Sequence, residues 1–131
     1  MKIQIASDIH TEFVEYSQLD ALENFLRLAV PVAPGIDALV VADDLGNSDS
    51  VPFALDALRR NAPDVEILYV AGNHEYYAPG NDKSRAAIER AIAASCQKNH
   101  IHWLNNSSVE LHNRRFLGTT LWGFRAYPQC R

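Results

Sequence analysis

Three short apolar runs rich in strand-forming residues punctuate the first half of the chain: Lys2 to Ala6, Ala38 to Ala42 and Ile67 to Ala71. The segments between them carry apolar residues at helical spacing. In the first, Leu19, Leu22, Phe25, Leu26 and Ala29 form one face, behind a start signal with Ser17 as N-cap and Asp20 in the capping-box position. Pro31, Pro34 and Gly35 then stop the helix. A second helix is expected to begin near Ser50, with Pro52 in its first turn and Phe53, Ala54, Ala57 and Leu58 inward, and to end at Asn61-Ala62-Pro63. A third, capped by Asn81 or Asp82, runs to about Lys98 and buries Ala87 or Ile88, Ala91, Ile92 and Ser95. Beyond it the period shortens. Ile101 to Leu104, Val109 to Leu111 and Arg115 to Trp122 read as strands, with turn chemistry at Asn105-Asn106-Ser107 and His112-Asn113. The pattern predicts an α/β fold: a mostly parallel sheet with flanking helices, followed by an antiparallel meander, in one domain spanning residues 1–131.

Each of the three apolar runs ends in polar residues. The first leads into Ser7-Asp8-Ile9-His10, the second into Asp43-Asp44-Leu45-Gly46-Asn47, the third into Gly72-Asn73-His74-Glu75. In open α/β sheets, ligands collect outside the carboxyl ends of the strands, so these three ends are expected to meet at one edge. In extended chain Asp8 and His10, two positions apart, share a side and can grip one cation. Asp44 can bridge two cations, Asn73 offers a neutral oxygen, and His74 is a candidate general acid over a glycine that lets the backbone turn closely. Taken singly, each has an ordinary structural use: a turn aspartate, a helix cap, a hydrogen-bonded histidine. Their co-occurrence after three regularly spaced strands favours a metal site.

Charge and composition narrow the field. A net charge of −4 without a Lys/Arg run argues against general nucleic-acid binding, and no apolar run is long enough to span a bilayer. The opening Met1-Lys2-Ile3-Gln4-Ile5 is already alternating strand, with no signal peptide ahead of it, so a cytoplasmic protein is expected. Cys96 and Cys130 have no metal-type spacing and are expected to be free thiols. A nucleotide-binding protein is disfavoured because no glycine-rich phosphate loop is present.

Asp8-x-His10, then Asp44 after Leu39-Val40-Val41-Ala42, then Gly72-Asn73-His74-Glu75 closely resembles the calcineurin-like metallophosphoesterases, and Phe116-Leu117-Gly118-Thr119-Thr120-Leu121-Trp122 is similar to a segment of small bacterial members. The resemblance implies the first half of an αββα sandwich and hydrolysis of a phosphomonoester or phosphodiester. It implies two divalent ions (Mn, Fe, Zn or similar): Asp8 and His10 on the first, Asp44 bridging, Asn73 on the second, and His74 assisting phosphoryl transfer. Two departures accompany it. Asp43 stands where the family has glycine, its side chain expected to point away from that of Asp44. The family's later histidines are also missing, because His100-Ile101-His102 lacks a preceding glycine and His112 is a turn residue. The chain is therefore expected to be cut short, with a weak second ion and impaired turnover. The alternative is a non-catalytic metal-binding module that self-associates, and a homodimer is expected on either reading.

Overall fold

In the computed structural model, which describes residues 1–78 and 83–121, the period-two and helical patterns resolve into one layered arrangement. Strand β1 (Ile3–Ala6) is followed by helix α1 (Leu19–Ala29), β2 (Ala38–Ala42), α2 (Val51–Asn61), β3 (Glu66–Val70), α3 (Arg85–Lys98) and β4 (Ile101–Trp103), and a hairpin of β5 (Ser107–Leu111) and β6 (Arg114–Gly118) closes the described chain. The four-stranded sheet has the order β1-β2-β3-β4 and is parallel throughout. A helix crosses between each successive pair of strands, which parallel neighbours require. No helix among the described residues is long and apolar enough to cross a membrane.

The register sets which side chains face which layer. Leu39 pairs with Ile67 and Val41 with Tyr69, and these four join Leu22 and Leu26 of α1, Leu55 and Leu58 of α2, and Ile88 and Ile92 of α3 in one core. Each fully buried leucine there contributes about 2 kcal/mol relative to an exposed one. The opposite face is covered by less: Ala38, Leu68 and Leu104 pack against Val109, Leu111 and Phe116 of the hairpin. Toward β1 that face is open, with Ile3 44% and Ile5 73% exposed.

Several local expectations change. Helix α1 starts at Leu19 with Gln18 as its cap, and no side chain closes that end; the Ser17 hydroxyl donates instead to Glu15. Helix α2 begins where expected, but Phe53 turns outward and meets Tyr16, leaving Val51, Ala54, Leu55, Ala57 and Leu58 to fill the core. Helix α3 is capped by Ser84, whose hydroxyl accepts from the Ala87 N–H; Asn81 and Asp82 lie outside the described residues. Ala91 is exposed, and Ile88, Ile92, Ser95 and Cys96 form the buried side. The largest change concerns β4, which is not the first strand of a meander. It pairs parallel with β3, as a strand arriving by a helical crossover does, and among the described residues only β5 and β6 are antiparallel, joined through His112 and Asn113 at φ 48° and 57°. Trp122 and Cys130 lie outside the described residues, and Cys96 is a buried free thiol whose pKa burial pushes up to about 12.

Candidate metal centre

At the carboxyl edge of the sheet the loops after β1, β2 and β3 are stitched together through their backbones. The Asp8 N–H donates to Asp43 O at 3.1 Å, the Ile9 and His10 N–H groups both donate to Asp44 O at 3.0 Å, and the Asp43 N–H donates to Val70 O at 2.9 Å. The stitching holds a strained path. Asp8, His10, Asp43 and Asp44 all have positive φ, at 53°, 54°, 78° and 44°. Left-handed backbone costs a non-glycine residue about 1 to 2 kcal/mol, somewhat less for aspartate, and it persists only where surrounding contacts hold it. Asp8 and His10 therefore converge by turning, after β1 has ended at Ala6, and not by the alternation of an extended strand.

Strain here places donors. One carboxylate oxygen each from Asp8 and Asp44 and a ring nitrogen of His10 lie within 4.8 Å of one another. Asp44 is only 7% exposed, and its Oδ1 also accepts the His74 N–H at 3.1 Å, which ties the β3 loop to the same carboxylate. His74 sits in a row of rings, 4.6 Å from His10 in a T-shaped contact and 4.8 Å from Tyr77. The Asn73 side-chain amide donates to the Tyr77 hydroxyl at 2.8 Å.

Gly72 makes this closeness possible. A Cβ at that position would overlap carboxylate oxygens of both Asp43 and Asp44, so glycine is required by space. Beneath it, the fully buried Glu75 acts as a brace. Its Oε1 accepts from the Leu45 N–H at 2.7 Å and the Tyr69 hydroxyl at 2.8 Å, and its Oε2 from the Gly72 N–H at 2.8 Å. Burial raises the Glu75 pKa against the lowering effect of those donors.

Asp43 corrects an expectation. Because both aspartates are left-handed, the Asp43 side chain turns toward Asp44 instead of away from it. Burial, then the charge and hydrogen bonding of Asp44, then the charge of Asp8 raise its pKa, as like-charged neighbours do. Asp43 also lines a cleft of about 230 Å³ with Asn73, Ala71, Thr119 and Thr120. The Thr120 hydroxyl donates to Ala71 O at 2.6 Å, anchoring that wall.

Glu12 was not among the expected site residues, yet it is central. Its Oε1 lies 2.9 Å from His74 Nδ1 and 3.2 Å from His10 Nδ1. Burial raises its pKa, but the hydrogen bonds of His74 and His10 more than offset this and leave it below the ordinary range. The His74 pKa is correspondingly raised, first by Glu12. The signal in sequence was a carboxylate two positions after His10; its partnership with His74 exists only once the loops meet. His100 is exposed at the turn into β4, and His102 pairs with Glu66 at 2.9 Å, so neither reaches this edge.

The family model for calcineurin-like phosphoesterases matches residues 1–119. The chain belongs to that family. An uncharacterized protein of Acanthamoeba polyphaga mimivirus is 28% identical over 126 residues, an alignment that covers 92% of this chain and 44% of the viral protein. The chain thus spans less than half the length of that relative. No solved structure matches the chain significantly. The fold is accordingly the α/β half-fold of a metallophosphoesterase, with a parallel sheet flanked by helices and a small antiparallel sheet.

The family implies divalent cations, and the donors fit them. Two carboxylates and an imidazole converge over a glycine that leaves room, a mixed oxygen and nitrogen set that could hold a divalent cation. A second group, His10, Glu12 and His74, also brings three donor atoms within 4.8 Å.

Proposed function

We propose that this chain is a metal-dependent phosphoesterase, or the metal-binding half of one, acting on a phosphomonoester or phosphodiester. The observation that supports it best is the convergence of Asp8, His10 and Asp44 beside His74, with Asp44 bound to the His74 backbone. Asp8, His10 and Asp44 would hold the first ion, and Asp44 with Asn73 the second. Bound there, divalent ions supply Lewis acidity and a water nucleophile at neutral pH.

The chain's own residues divide the remaining work. His74, its Nδ1 engaged by Glu12 and its pKa raised, is suited to give a proton to a leaving oxygen. The cleft of Asp43, Asn73, Thr119 and Thr120 is the space beside the ligands where a phosphoester would lie. Two residues, Asp44 and Asn73, are a sparse set for the second ion, so turnover in this chain is expected to be slow. The test is calorimetric titration with Mn²⁺ together with turnover of an activated aryl phosphodiester. Micromolar binding with turnover that disappears in His74→Ala supports the reading. Absence of binding in a folded protein would overturn it.

A second reading, a non-catalytic metal-binding module that self-associates, is favoured by the open sheet face around Ile3 and Ile5. Turnover separates the two: a folded protein that binds Mn²⁺, self-associates by light scattering and hydrolyses no aryl phosphodiester selects the module.

A further inference from the structure

Among the described residues Glu12 is the one carboxylate hydrogen-bonded to both His10 and His74, and it holds them with a single oxygen. Its side chain is only 9% exposed, and its second oxygen, Oε2, is buried with no partner. An ionised carboxylate has no proton to donate. Both rings must therefore donate through Nδ1, and in each neutral ring the lone pair then falls on Nε2.

We propose that Glu12 is a positioning residue that fixes His10 and His74 together in the Nδ1–H form, so that Nε2 of His10 is free for a cation and Nε2 of His74 is the atom that takes up a proton and passes it to the leaving oxygen of the phosphoester. What the two Nε2 atoms do rests on the phosphoesterase reading; the ring state does not. Carboxylates that take the second nitrogen of a ligand histidine orient the ring and raise its basicity. Here one oxygen serves two rings 4.6 Å apart, so the ligand and the proton donor share one support. The competing use of the same atoms is direct ligation, in which Glu12 and both Nδ1 atoms hold an ion and the Nδ1 protons are lost.

Long-range proton–nitrogen correlation spectra of the metal-free chain, ¹⁵N-labelled at histidine, show which ring nitrogen carries the proton. The wild type at pH 8 is expected to show the Nδ1–H form for both rings. Glu12→Ala should release both to the mixture an unheld ring adopts, and weaken Zn²⁺ binding by about 10-fold or more. Glu12→Gln keeps an acceptor at the same place and should retain the Nδ1–H form and most of the affinity. The proposal is overturned if the wild-type rings are Nε2–H, or if Glu12→Ala stays folded with unchanged ring spectra. It is equally overturned if Zn²⁺ removes both Nδ1–H signals, which would make Glu12 a direct ligand. If the ring spectra behave as expected while Zn²⁺ and Mn²⁺ fail to bind, the positioning role stands and the phosphoesterase reading fails.

Discussion

The two ends of the parallel sheet are built on opposite principles. At the amino end, Arg59 of α2 reaches into the turns before β3 and β4 and donates to the carbonyl oxygens of Ala62, Pro63, Val65, Asn99 and His100. One cation satisfies many acceptors that helix ends leave orphaned. At the carboxyl end Asp8, Asp43 and Asp44 crowd together on left-handed backbone. That end is held from outside, by the backbone stitches and by Glu75, against repulsion and strain that a bound cation would relieve. The lesson is that the bracing cation and the candidate ligands sit at different edges, so substitutions should separate stability from any metal binding.

The sharpest way to break the separation is at Gly72. Gly72→Ala drives a Cβ into the Asp43 and Asp44 carboxylates, and either the β3 loop or the ligand set must shift. We expect divalent-metal binding to fall at least 100-fold by calorimetry, on the order of 3 kcal/mol, with a loss of stability comparable to overpacking a core, about 1 to 3 kcal/mol. Unchanged affinity would show that Asp44 is not a ligand. Next in size is Arg59→Ala at the other end. Removing a charged donor from several carbonyls should cost about 3 kcal/mol of unfolding free energy in urea while leaving metal affinity within about twofold. A matching drop in affinity would mean that the two ends are coupled.

Asp43→Gly should act in the opposite sense. Glycine accepts φ 78° without strain and removes one of the crowded carboxylates, so the metal-free protein should gain about 1 kcal/mol. Freed from its neighbour, Asp44 should bind Mn²⁺ a few-fold more tightly. A loss of affinity would instead make Asp43 a ligand.

How much of this could be read from the chain follows the range of the interactions. The three strands, their order through helices, and the placing of Asp8, His10, Asp44 and His74 at one edge were legible because each depends on local periodicity and on a general rule for parallel sheets. The left-handed turns were not, since extended alternation already accounted for Asp8 and His10. The same assumption sent the Asp43 side chain the wrong way. Glu12 was invisible because it meets His74 across 62 positions, and nothing in the residues between them announces the contact. At β4 the turn-rich neighbourhood of Asn105 to Ser107 suggested a meander. The crossover through α3 decided the direction, because a strand that returns from a helix on one face enters parallel to the strand it left.

The smallest effect expected is on pH dependence, and it distinguishes the ends by their titrating groups. His74 has a raised pKa in the folded metal-free protein, chiefly through Glu12, with the charges of Asp44, Glu12 and Glu75 adding to it. A histidine whose folded pKa exceeds its unfolded value stabilises the fold fully below the unfolded pKa of about 6.5, and that contribution is lost as pH rises through the folded pKa. Asp43, also raised, chiefly by burial and then by the charge of Asp44, adds a loss of the same sign as pH rises through its own folded pKa. Glu12 works in reverse: its lowered pKa gives stability that is present above its unfolded value and disappears as pH falls through the folded one. The His74 ring is about a quarter to a third exposed, at 29%, so screening keeps its share small. Urea unfolding of the metal-free chain should therefore show a modest decline in stability above about pH 6.5. His74→Ala should flatten that decline, and Arg59→Ala should lower the whole curve without changing its slope. A decline that survives in His74→Ala would place the titrating group elsewhere and separate Glu12 from the pH response of this edge.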